Sequence, residues 1–224
     1  MLGAIVGDVI GSVHEKAGTK TTQFPLFPPA CRFTDDTVLT VAVADVILNG
    51  GDYCTAFHDY FHRYPKAGYG GTFVKWAAER QRSPYGSWAN GSAMRVSPVG
   101  WAFDSLPDVL NEAERSAAAT HDHPDGVRGA QAVAAAVFLA RTGKTKAQIR
   151  TDIASVFGYD LSGTVAGLRP AYKFDVSCAG SVPQSLIAFF DSTGYEDAVR
   201  LAVSLGGDAD TMAAIAGAVA EAFY

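Results

Sequence analysis

Apolar residues recur along this chain at three-to-four spacing, the period of a helix with one buried face, not the alternation of a strand. The pattern is clearest over residues 38–48, 130–141, 185–190, 197–205 and 212–223, segments rich in Ala, a strong helix former. With a mean helix of about a dozen residues, on the order of ten helices are expected. Alternating runs bounded by hairpin signals are scarce, and 174–177 is too short to matter. Pro- and Gly-containing breaks at 24–30, 64–71, 83–91 and 123–126 read as loops within one unit, and no repeat or linker divides the chain. The expected fold is therefore all-α, a compact multi-helix bundle forming a single domain over residues 1–224.

Composition narrows this picture. A hydrophobic fraction of 48% with 18% charged residues is that of an ordinary globular interior and excludes intrinsic disorder. A net charge of −5 opposes an extended nucleic-acid surface, which needs clustered Lys and Arg, while leaving room for a pocket that holds one pyrophosphate. No stretch approaches the roughly 20 apolar residues of a spanning helix, and Asp45 interrupts the best candidate. Asp8 stands where a signal peptide would be apolar. Three cysteines, Cys31, Cys54 and Cys178, lack C-x-x-C spacing and indicate a reduced, cytoplasmic protein. No membrane contact and a monomeric state are expected.

Candidate chemistry begins in the first helical segment. Gly3, Gly7 and Gly11 place a small residue every four positions, lining one face for close approach of another helix. Their spacing is not that of a dinucleotide-binding loop. Asp8 and Glu15 lie seven apart, nearly two turns, and would share a helical face.

The strongest signal is a pair of acidic helix starts at opposite ends of the chain. Thr34-Asp35-Asp36-Thr37 leads into the apolar run from Val38, and Gly206-Gly207-Asp208-Ala209-Asp210-Thr211 leads into the run from Met212. Thr and Asp are ordinary N-caps, and acids in a first turn complement the helix dipole. A cap needs only one oxygen, however, and four carboxylates beside apolar sequence are costly unless a positive group is bound there. Oxygen ligands of this kind suit Mg²⁺, Mn²⁺ or Ca²⁺.

Five motifs in order then resemble the ADP-ribosylglycohydrolase family. They are the opening Gly3–Glu15 helix, Phe33-Thr34-Asp35-Asp36-Thr37, Asn90-Gly91-Ser92-Ala93-Met94-Arg95, Thr120-His121-Asp122-His123-Pro124, and Gly206–Thr211. The resemblance spans nearly the whole chain. It implies an all-α bundle with two Mg²⁺ or Mn²⁺ ions at the base of a cleft, held by Thr34, Asp35 and Asp36 from one side and Asp208, Asp210 and Thr211 from the other. ADP-ribose and ADP-ribosylated substrates would be the partners, the terminal ribose lying over the metals. The loop of Asn90, Gly91, Ser92, Met94 and Arg95 would cradle the pyrophosphate, and His121 would orient the ribose. Ala209 departs from the Thr or Ser of many members, and residues 64–89 offer only Glu79 as a further acid, to which no role is carried over.

The implied reaction is metal-dependent hydrolysis of the glycosidic bond between the terminal ribose and an acceptor such as arginine, with Glu15 as general base or water-orienting carboxylate. Arginine-linked adducts are expected to react at least as well as serine-linked ones. The alternative is a non-catalytic ADP-ribose-binding or structural, crystallin-like member of the family. His58 and His62 share an i,i+4 spacing without the H-E-x-x-H pattern and read as surface or packing residues; His123 reads as a loop residue. Ser92 lacks a nucleophile-elbow sequence.

Overall fold

A computed structural model describes residues 1–224 and resolves the helical periodicity into thirteen helices. They are α1 (Leu2–Gly11), α2 (Asp35–Asn49), α3 (Tyr53–Arg63), α4 (Gly71–Ala78), α5 (Gly91–Met94), α6 (Ser97–Ala102), α7 (Leu106–Ala118), α8 (Pro124–Arg141), α9 (Lys146–Phe157), α10 (Val165–Leu168), α11 (Cys178–Asp191), α12 (Tyr195–Val203) and α13 (Ala209–Phe223). The excess over ten comes from short helices such as α5 and α10, single turns too brief to carry a period of their own.

One continuous apolar cluster of 57 buried residues serves the whole chain, which makes this a single domain. Its axis is α13, buried from Ala209 to Ala220 and packed on by α1, α8, α11 and α12. The small-residue face of α1 is what allows the closest approach. A Cβ on Gly7 would stand 2.2 Å from Ala213 O, and one on Gly3 2.4 Å from Gly217 O. Only hydrogen fits at such a contact.

Local sequence sets the helix starts. Ser105, Thr145 and Ser177 accept hydrogen bonds from the first turns of α7, α9 and α11, as N-cap oxygens do. The break expected at 123–126 is instead a helix start. His123 caps α8, its ring nitrogen accepting from Asp125 N, and Pro124 and Gly126 lie inside the first turn. The stretch dismissed as too short to matter also has a function in the fold. Ala89 and Ser177 form an isolated antiparallel bridge, with Asn90 N donating to Val176 O and Cys178 N to Trp88 O, and this fixes the loop ahead of α5.

Candidate active site

The first acidic helix start is clamped by a residue outside it. Asp8, fully buried on α1, accepts from Thr34 N at 2.9 Å, Thr34 Oγ1 at 2.6 Å and Thr37 N at 3.1 Å, and from the Thr37 hydroxyl. Its carboxylate thus receives the free N–H groups at the head of α2, where the dipole favours an anion. Thr34 itself caps α2 by accepting from Asp36 N.

The second start is shaped by its glycines. Gly206 has φ +69°, a left-handed conformation, and a Cβ there would meet Gly18 O at 2.9 Å. A Cβ on Gly207 would stand 2.4 Å from the Tyr172 ring, whose hydroxyl donates to Gly180 O. Lys20 Nζ donates to the carbonyls of Tyr172 and Leu205 and closes the same turn. Asp208 then accepts from Asn90 Nδ2 at 2.8 Å. Across the interface Gly11 lies so close that a Cβ would be 2.4 Å from Asp210 Cα. Helix α1 therefore holds both halves of the site, one through Asp8 and the other through Gly11.

The two starts meet at the floor of a cleft of about 320 Å³. Thr34, Asp35, Asp36, Asp208, Asp210, Thr211 and Glu15 all line it, so the sequence-based set is brought together. Carboxylate oxygens of Asp8, Asp36 and Asp210 lie within 4.8 Å of one another. Burial first, and then mutual repulsion, drive Asp36 and Asp210 well above the usual carboxylate range, and Asp35 up to about 7. Asp36 Oδ2 has the hydroxyls of Thr34 and Thr211 at 3.2 and 3.4 Å, while Oδ1 is buried with no partner. A buried, unpaired carboxylate oxygen among further carboxylates and hydroxyls fits a hard divalent cation, which would relieve both the repulsion and the missing bond.

Asp8 was not singled out as a site residue from the sequence, although it was noted there as sharing a face with Glu15. Its signal was a lone acid on the otherwise apolar, glycine-striped α1. The pairing itself needs correcting. Helix α1 ends at Gly11, and Glu15 sits in the following run of turns, where His14 N returns to Gly11 O. Glu15 reaches the cleft from that turn, half-buried, and burial and the charge of Asp208 raise its pKa against the pull of Lys16 and Arg32.

The Asn90–Arg95 segment is placed differently from a simple anion cradle. Asn90, Gly91, Met94 and Arg95 line the cleft, and the Asn90 amide is engaged with Asp208. The Ser92 hydroxyl is buried and donates to Gly126 O at 2.7 Å, locking α5 against α8. Met94 packs beneath Thr211, whose hydroxyl reaches its sulfur at 3.7 Å. Arg95 is fully buried beneath the cleft, its guanidinium 4.0 Å from the Phe57 ring centroid and donating to Ser116 O and Thr120 Oγ1. It therefore presents no free charge at the surface. His121 lies in the wall, its ring beside Gly91. Of the remaining histidines, His58 stacks on Trp76 in the core and His62 is exposed, consistent with packing and surface roles.

Helices alone, gathered on an axial helix and bringing carboxylates and hydroxyls from two helix starts into one cleft, define an all-α protein with a buried acidic cluster of a kind that could hold a cation. A family model described as ADP-ribosylglycohydrolase matches residues 1–224, and the chain belongs to that family. Among similar proteins, ADP-ribosylhydrolase ARH3 of Homo sapiens is 25% identical over 100% of this chain and 84% of its own length. ADP-ribosylarginine hydrolase Tri1 of Pseudomonas putida is 24% identical over 100% of this chain and 69% of its own. A solved structure titled ADP-ribosylglycohydrolase-related protein complex superposes with a TM-score of 0.77 at 28% identity, covering 100% of this chain and 85% of that one.

Proposed function

We propose that this protein is a metal-dependent hydrolase that releases ADP-ribose by cleaving the bond between its terminal ribose and an acceptor. The observation that carries the reading is the unpartnered Asp36 Oδ1 within a buried group of carboxylates at the cleft floor. Asp35, Asp36, Asp208 and Asp210, with Thr34 and Thr211, would hold one or two Mg²⁺ or Mn²⁺ ions. The bound cations would supply electrostatic stabilisation and fix the ribose hydroxyls.

The chain's own groups supply the rest. Glu15, which lines the cleft near Asp208, orients a water and takes its proton as that water attacks the anomeric carbon and the bond to the acceptor breaks, the acceptor leaving with a proton from solvent. Asn90 holds Asp208 by its second-sphere hydrogen bond and so fixes that ligand's orientation. Gly91 keeps the wall beside His121 open. The cleft walls would hold the sugar beside the water that Glu15 orients, converting attack into an effectively intramolecular step.

For the acceptor, Arg32 stands exposed in the cleft lining together with the carboxylates of Glu15, Asp35, Asp36, Asp208 and Asp210, and arginine-linked adducts are expected to react at least as well as matched serine-linked ones.

The test is release of free ADP-ribose from defined serine- and arginine-linked peptides with and without Mg²⁺. Activity that requires the ion and is lost in Asp36→Asn, with the helical circular dichroism retained, supports the reading. ADP-ribose binding without release by the wild type would instead favour a non-catalytic binder. Release that survives chelation would refute the metal.

A further inference from the structure

Behind the cleft wall Arg95, Thr120 and His121 form a hydrogen-bonded chain whose direction is set at one end. Arg95 Nη2 donates to Thr120 Oγ1 at 2.9 Å, and a guanidinium has donors only, so the hydroxyl oxygen accepts there. Thr120 is fully buried, and its single hydroxyl hydrogen needs an acceptor. His121 Nδ1 stands 2.7 Å from that oxygen. The Tyr85 hydroxyl oxygen is the one other acceptor near the Thr120 hydrogen, but no hydrogen bond of ordinary length joins it to Thr120, whereas Nδ1 stands at 2.7 Å. The other ring nitrogen, Nε2, has no protein partner and lies beside Gly91, where an added Cβ would be 3.1 Å from it. Nε2 is thus the atom that His121 offers to the cleft.

We propose that Arg95 and Thr120 are positioning residues that hold His121 as the neutral Nε2–H tautomer, making it a hydrogen-bond donor to an oxygen in the cleft. The groups facing the ring agree. Arg95 lies behind it and Tyr85 packs at a centroid distance of 6.0 Å, and neither is an anion that would favour the imidazolium. Burial, reinforced by the Arg95 charge, holds the imidazole pKa well below its usual value. A donor-only nitrogen suits the acceptor oxygens of a phosphate or a ribose, an assignment of ligand that rests on the function proposed above. It cannot take up a proton at Nε2, so the base role stays with Glu15. The inference also accounts for a buried arginine with no carboxylate partner. Its guanidinium is fully buried in the wall, yet it fixes the polarity of a group that the cleft exposes.

The experiment is a long-range proton–nitrogen correlation spectrum of the ¹⁵N-labelled full chain at pH 7, with the His121 signals assigned by their loss in His121→Gln. Wild type should show the neutral Nε2–H pattern, and Thr120→Ser and Tyr85→Phe should keep it. Thr120→Val removes the donor to Nδ1 and should shift the pattern toward a mixture of tautomers. Calorimetric ADP-ribose affinity with Mg²⁺ present should fall about tenfold in Thr120→Val and stay within about twofold in Thr120→Ser, the scale of one hydrogen bond in a buried site. An imidazolium or Nδ1–H signature in wild type overturns the proposal without any variant having to fold. So does a tautomer altered by Tyr85→Phe, or a Thr120→Val protein with shifted tautomer and unchanged affinity. The expected tautomer pattern in a wild type that binds no ADP-ribose would support the relay and count against the functional reading alone.

Discussion

Glu15 illustrates how much at this site depends on a single carboxylate's surroundings. Burial and the charge of Asp208 raise its pKa from the ordinary glutamate value in the metal-free protein, and a cation held by Asp208 would draw it back down. Replacing it with Gln preserves size and hydrogen bonding but removes the proton acceptor. The hydrolysis rate of Glu15→Gln is expected to fall by roughly two or more orders of magnitude, with calorimetric ADP-ribose affinity changing far less. Turnover near that of wild type would remove Glu15 from the mechanism. At this scale the sequence was informative wherever chemistry was concentrated. Doubled acids beside apolar runs marked Asp35, Asp36, Asp208 and Asp210 because one cap cannot use two carboxylates. Asp8 was harder to read, since a solitary acid has many innocent explanations and its four donors come from residues 26 and 29 positions away. The burial of Arg95 is hard to read for a similar reason, since only the three-dimensional packing reveals that Phe57, Ser116 and Thr120 enclose its guanidinium.

Between elements, the contact of α1 with α13 sets the spacing of the two acidic helix starts. Gly11→Ala would place a Cβ 2.4 Å from Asp210 Cα and 2.5 Å from Ala209 O. Both are backbone atoms, so no side-chain rotation can relieve the clash and one helix must move. A loss of about 1–3 kcal/mol in unfolding free energy is expected, the range for overpacking, together with weaker Mg²⁺ binding as Asp210 shifts. Gly163→Ala serves as the comparison, because its nearest neighbours would be 3.8 Å away and both properties should stay close to wild type. Denaturant titration and calorimetric Mg²⁺ binding would check the pair, and equal metal affinity in both variants would contradict the spacing role. The long helices and the glycine face were visible as periodicity. The end of α1 was not, because apolar Val13 continues the pattern past Gly11 while the backbone has already turned.

Over the whole molecule, the raised carboxylates make metal-free stability depend on pH with a definite sign. Asp36 and Asp210 titrate well above the usual carboxylate range when folded, and Asp35 at about 7. Between an unfolded carboxyl pKa of about 4 and these values, the native state binds more protons than the unfolded one. Stability must then fall as pH rises through that window. In EDTA the melting temperature is expected to be higher at pH 6 than at pH 8. Saturating Mg²⁺ should raise it at both, most strongly at pH 8, where no proton competes with the ion. Thermal unfolding in the four conditions decides this, and a metal-free melting temperature that rises from pH 6 to pH 8 would contradict the assigned shifts.

The groups that meet at the cleft floor are remote along the chain: Thr211 and Asp36 are 175 residues apart, and Asn90 and Asp208 are 118 apart. Such contacts close large loops, and their entropy is recovered only when the rest of the bundle is in place. Consequently a divalent cation has no assembled cage to occupy in a half-organised chain, and its effect belongs to the kinetics of escape from the native state. Stopped-flow measurements should find unfolding slowed by Mg²⁺ in proportion to the stability gained, while the refolding rate scarcely changes. An ion that accelerated refolding instead would mean that the ends of the sequence come together early. Handled this way, a bound metal would act as a latch whose loss shortens the lifetime of the folded protein without altering how quickly it is reached.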